Sequence, residues 1–160
     1  MRTLFAIMWS LVVSVCGMFD AGARKYEKLY FRLVAKADDA DNGEQLTEAE
    51  KALYTAALFD MEIQNGGICQ FLVNCEPALA IRVSQSMRKI GLEEMAEAYD
   101  AFVRKYGIDV GNLAEFKVQS AEEYAELCRK YPYGEFDETY MKLRKKLRFT
   151  RTMLKYAETE

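Results

Sequence analysis

The sequence predicts an all-α fold: a single compact domain of about six to seven helices, preceded by an apolar N-terminal segment. Three observations lead there. Apolar residues recur at intervals of three and four along most of the chain, and no stretch alternates with the period of two that a half-buried strand needs. Two boxes, Thr47/Glu50 and Ser120/Glu123, mark helix starts, where a hydroxyl accepts a free backbone N–H and the Glu reaches back to the cap. Only two prolines interrupt 160 residues, and a composition of 51% hydrophobic and 29% charged residues suits an ordered chain with one core.

The first 23 residues stand apart. Arg2 is followed by an almost unbroken apolar run from Leu4 to Val15, and then by Ala21-Gly22-Ala23, small residues of the kind a signal peptidase accepts. Residues 1–23 therefore read as a secretory signal peptide and residues 24–160 as the folded domain. The expected location is periplasmic or secreted, with no stable membrane insertion after cleavage. An uncleaved anchor or a buried first helix in a cytoplasmic protein are the alternatives, although the run is short of the ~20 residues that span a bilayer. Cys16 does not make a lipoprotein site, because Val15 precedes it where a small residue is needed.

From Arg24 to Lys36, Tyr26, Leu29, Tyr30, Leu33 and Val34 form one helical stripe. The acidic stretch from Ala37 to Leu46, "ADDADNGEQL", reads as a solvated loop. Thr47 then opens a largely buried helix to about Gln64, and "ICQFLVN" continues as a short helix beyond two glycines. Glu76-Pro77 breaks it; Ala78 to Ile90 and Leu92 to Tyr106 follow, each stopped by a glycine, Gly91 and Gly107. Residues 108–118 read as a loop, Ser120 to about Lys130 as a helix, and residues 131–134 as a turn. Asp137 is placed to cap a final helix through Leu154.

The stretch "EIQNGGICQFLVN", residues 62–74, raises the functional question. Gly66 can take positive φ and Gly67 lets another helix approach, so the pair turns the chain sharply against the core. Asn65, Gln70 and Asn74 bring amides that need partners when half-buried, and are expected to form a polar cluster fixing the angle between two helices. The pattern Asn65, Gly66, Gly67, Gln70, Phe71 and Asn74, with "KIG" some twenty residues later and "GEFDETYMKL" near the end, resembles a bacterial family typified by DNA mimic protein nineteen. The resemblance covers about Arg24 to Leu147. It implies a helical fold and, in the family's type member, an acidic surface that imitates DNA phosphates and occupies a DNA-binding protein's cleft.

Histidine is absent, which removes the commonest general base and metal ligand and excludes Ser-His-Asp and Cys-His sites. A catalytic Cys69 would need activation by a lysine, an arginine, a carboxylate or a helix start, and the glycine turn does present N–H groups at one. Pairs such as Asp60/Glu62 and Glu93/Glu97 are candidates for metal or acid–base chemistry, but nothing else converges on them. No cofactor and no metal are expected. Three cysteines follow residue 23, Cys69, Cys75 and Cys128; one disulfide with a spare thiol and three buried thiols are both open.

Net charge is −3, but residues 141–160 carry seven basic and two acidic side chains, leaving 15 basic and 23 acidic before them. The body is thus −8 and the last segment +5. Acidic groups cluster at Asp38, Asp39, Asp41 and Glu44, again at Glu93, Glu94 and Glu97, and at Glu122, Glu123 and Glu126. The expected function is a non-enzymatic protein-interaction module that binds a protein partner through an acidic surface formed by Asp38, Asp39, Asp41 and Glu44. The partner is a basic nucleic-acid-binding protein if the chain is cytoplasmic, and no direct nucleic-acid binding is expected. Against this, cations near the surface and a secretion signal argue away from mimicry of DNA. The alternative is a small exported enzyme with its site at the Asn65-Gly66-Gly67/Gln70 turn.

Overall fold

The computed structural model describes residues 21–38 and 45–160. These form seven α-helices and one 3₁₀ turn, with no strand among the described residues: α1 (Ala21–Asp38), α2 (Glu48–Asn74), α3 (Pro77–Ile90), α4 (Glu93–Tyr106), the 3₁₀ turn Ala114–Phe116, α5 (Ala121–Leu127), α6 (Tyr133–Lys146) and α7 (Phe149–Thr159). The signal-peptide reading falls mostly on residues 1–20, outside the described part, and Ala21, Gly22 and Ala23 begin α1. No helix among the described residues is long and apolar enough to cross a membrane.

Helix α2 is central and packs against α1, α3, α6 and α7. Its start follows from local chemistry: Thr47 Oγ1 accepts from the Glu50 N–H at 3.1 Å, while Glu50 Oε2 accepts from the Thr47 N–H at 2.9 Å. The same Glu50 carboxylate takes Lys36 of α1 at 2.8 Å, so one side chain both caps α2 and ties α1 to it. Helices α3 and α4 end at Gly91 and Gly107, both left-handed. The two helices are joined through a buried bond from the Tyr99 hydroxyl to the Ala80 carbonyl, 3.0 Å.

The core centres on Phe59 of α2. Its ring meets Phe71 edge-on at 4.6 Å, Tyr99 of α4 at 5.4 Å and Tyr140 of α6 at 5.5 Å between centroids. Each such pair adds about 0.5–1.5 kcal/mol beyond area burial. Three further helical segments therefore converge on one side chain that is fully buried.

Three elements differ from expectation. The segment 108–118 is more than a loop, since Ile108, Leu113 and Phe116 are buried and the 3₁₀ turn delivers Phe116 inward. Helix α6 starts at Tyr133, so Asp137 lies one turn inside it and does not cap it. The expected last helix is two: Arg148, with φ 48°, ψ 51°, breaks it between α6 and α7. That break swings Phe149 and Met153 into the core and sets Phe149 edge-on to Tyr26 of α1. Met141, on α6, is 45% exposed.

Candidate functional site

Helix α2 is bent where the glycines stand. Gly66 has φ −155°, ψ 19° and Gly67 φ 75°, ψ −175°, both outside helical values. The bend is sharp. Glu62 and Asn74 are twelve residues apart, roughly 18 Å along a straight helix at ~1.5 Å per residue, yet Asn74 Nδ2 donates to Glu62 Oε2 at 3.0 Å. Gln70 Nε2 donates to the same oxygen at 2.8 Å, and the Phe59–Phe71 contact bridges an equal separation of twelve residues.

The second half of α2 begins at Ile68, whose N–H would lack a partner. Asp137 of α6 supplies it: Oδ1 accepts from the Ile68 N–H at 2.8 Å. The other oxygen, Oδ2, lies 2.1 Å from where a Cβ on Gly67 would stand. The N–H group that the glycine turn presents at this helix start is therefore taken by the protein's own carboxylate. Burial pushes Asp137 above the usual carboxylate range, and the bond from Ile68 opposes that shift.

Asp60 and Glu62, two residues apart, face in different directions, as helical spacing requires. Glu62 serves Gln70 and Asn74. Asp60, fully buried, takes Arg144 of α6 through two bonds, Nε to Oδ1 at 2.7 Å and Nη2 to Oδ2 at 3.2 Å. Tyr140 adds 3.0 Å to Oδ1; Gln64 and Tyr26 complete Oδ2 at 2.8 and 3.5 Å. Desolvation raises the Asp60 pKa, with Arg144 as the largest opposing influence. Burial first, and then the Asp60 charge, raises the phenols of Tyr26 and Tyr140.

The profile of a family described as DMP19-like protein matches residues 44–160. The chain belongs to that family. No curated protein and no solved structure shows significant similarity to the chain.

In this DMP19-like domain the motif side chains divide in two. Gln70 and Asn74 meet at Glu62, Phe71 is buried against Phe59, and Gly66 is overlain by the Gln70 side chain. Asn65 is exposed, and the two amides that meet at Glu62 are those of Gln70 and Asn74. Of the acidic run, Asp38 is the exposed last residue of α1, while Asp39, Asp41 and Glu44 lie outside the described residues. Glu93 bonds Arg88, and no group of three or more acidic or cysteine side chains placed to hold a metal occurs among the described residues.

Glu62, Asp137 and Arg144 are the residues whose roles the sequence reading missed. Spacing held a clue for two of them, since Asp137, Tyr140 and Arg144 share one face of α6. For Glu62, we expect Glu62→Ala to lower unfolding free energy by about 1–3 kcal/mol, because it strands two amides that now share one acceptor. Glu62→Gln should recover most of that loss, as its carbonyl can still accept. Urea midpoints of the two variants decide; equal losses would show that shape and not the acceptor is what matters.

Proposed function

We propose that this DMP19-like domain is a non-catalytic interaction module that binds a basic surface of a protein partner through its acidic face. The pairing of Lys36 carries the reading. Segment 37–44 contains Asp38, Asp39, Asp41 and Glu44 and no basic residue, four negative charges in all. Lys36, the cation just before it, has its ammonium on Glu50 at 2.8 Å. Nothing adjacent in sequence offsets the run.

The basic C-terminal segment is partly absorbed within the molecule. Arg144 is paired to Asp60, Lys146 to Glu94 and Lys142 to Glu138. This supports charge balance for the last helices, and segment 37–44 is the acidic run we assign to the partner. The competing reading, an enzyme at the Asn65-Gly66-Gly67/Gln70 turn, asks for free polar groups there; Gln70 and Asn74 are instead directed at Glu62, and Asp137 fills the space over Gly67.

A cleft that neutralises DNA phosphates would also accept clustered carboxylates. If the chain is cytoplasmic, the fitting partner is thus a basic nucleic-acid-binding protein; if residues 1–23 are removed on export, it is a basic envelope or extracellular protein. The test is capture of partner by the immobilised full chain and by Asp38→Lys/Asp39→Lys/Asp41→Lys, as salt is raised and with duplex DNA as competitor. Charge reversal should weaken capture about tenfold or more and flatten its loss with salt. Undiminished capture by the triple variant rejects this face.

A further inference from the structure

The sequence left three cysteines without an assignment, and the fold brings two of them together. Cys69 Sγ, just beyond the α2 bend, and Cys128 Sγ, at the end of α5, stand 3.3 Å apart though 59 residues separate them in the chain. Both are thiols here. Cys75 is buried and makes no thiol contact among the described residues.

We propose that Cys69 and Cys128 are a reversible disulfide pair that clamps α5 onto the bent helix. The contact is closer than packing alone needs, and a sulfur–sulfur bond of about 2.05 Å asks the two atoms to approach by little more than an ångström. The surroundings separate the roles of the two sulfurs. Cys69 is buried, with the Tyr133 hydroxyl beside it. Burial, and then the contact with Cys128, pushes the Cys69 thiol up to about 12. Cys128 is partly exposed and is the sulfur a reagent reaches first.

The oxidant is a small disulfide such as oxidised glutathione. Cys128, having lost its proton to solvent, attacks one glutathione sulfur; a mixed disulfide forms and a glutathione thiolate leaves. Cys69 then loses its proton and attacks the Cys128 sulfur, expelling the second glutathione. Two protein thiols are oxidised to one disulfide, one glutathione disulfide is reduced to two thiols, and the two protons given up by the protein end on the glutathiones.

The bridge would act on a lightly anchored element. Helix α5 has seven residues and buries only Leu127. Cys69 lies between Ile68, capped by Asp137, and Gln70, bonded to Glu62, so the bridge adds a third restraint to the bend. Closing a loop of this length should raise the melting temperature by about 10 °C.

The test uses the reduced full chain exposed to oxidised glutathione, with intact mass, peptide mapping after alkylation, and thermal melts. The expected result is loss of two hydrogen atoms, a linked peptide pair containing Cys69 and Cys128, alkylated Cys16 and Cys75, and the higher melting temperature, reversed by a dithiol. Cys75→Ser should behave as wild type, and Cys128→Ser, altering the partly exposed member, should lose the bridge while remaining folded. Unreacted thiols, a stable glutathione adduct on Cys128, a bridge involving Cys75 or Cys16, or a bridge that leaves the melting temperature unchanged would each overturn the clamp.

Discussion

Arg144→Met should cost about 3–5 kcal/mol of stability, and the loss should grow as pH rises from the acid side. Arg144 is the cation that compensates Asp60, whose side chain is only 1% exposed. Replacing it with an apolar side chain of similar length keeps the volume and removes the charge. Burial already raises the Asp60 pKa, and without Arg144 it rises further. In the unfolded chain an aspartate titrates near ~3.9, so between that value and the higher folded value the folded state holds a proton that the unfolded state has released. Stability then falls with rising pH, by at most about 1.4 kcal/mol per unit, and levels off above the folded pKa. Urea midpoints of wild type and Arg144→Met, taken from acid to neutral pH, should diverge in that direction. Asp60→Asn added to Arg144→Met should restore part of the neutral-pH loss, because an amide carries no stranded charge and can still accept from Tyr140. A deficit independent of pH, unaffected by Asp60→Asn, would mean that Arg144 acts through its packing on Phe149, which its guanidinium overlies at 5.6 Å.

This pair also marks where sequence reading stops. The helices, their caps and the class were legible because each depends on neighbours within four residues: Thr47 with Glu50, Ser120 with Glu123, and Gly91 and Gly107 as left-handed ends. The bend at Gly66-Gly67 was legible for the same reason. What it is bent around was not. Arg144 lies in a run of cations that reads as a solvated face, and only its position four and seven residues from Tyr140 and Asp137 places it on the face that meets α2. Asp137 looked like a cap for its own helix because the local pattern offers that role, whereas its actual partner is the Ile68 N–H, 69 residues away. Periodicity says which side of a helix is apolar but not which helix will cover it. The break at Arg148 carried no signal at all, since Leu147-Arg148-Phe149 contains neither glycine nor proline and the left-handed residue is an arginine. The positioning of Cys69 against Cys128 is of the same kind, a long-range consequence of the bend in α2.

Gly67→Ala should approach the damage done by loss of Arg144, at about 2–4 kcal/mol, for two separable reasons. At φ 75°, ψ −175° an L side chain meets its own backbone, a strain of about 1–3 kcal/mol wherever it occurs. The new Cβ would also stand 2.1 Å from Asp137 Oδ2, so the carboxylate must leave and the Ile68 N–H loses its acceptor, a capping loss of about 1 kcal/mol. Asp137→Ala alone should therefore cost only about 1–2 kcal/mol. The double variant separates the two causes: with the carboxylate gone, the added methyl has room, the cap is lost once and not twice, and only the backbone strain is new. Gly67→Ala/Asp137→Ala should then be no less stable than Gly67→Ala itself, well short of the sum of the singles. Full additivity in chemical denaturation would show that Asp137 does not occupy the space over Gly67 in solution. In that case the bend would have to be held by Glu62, Gln70 and Asn74, and Glu62→Ala would become the more damaging of the two changes.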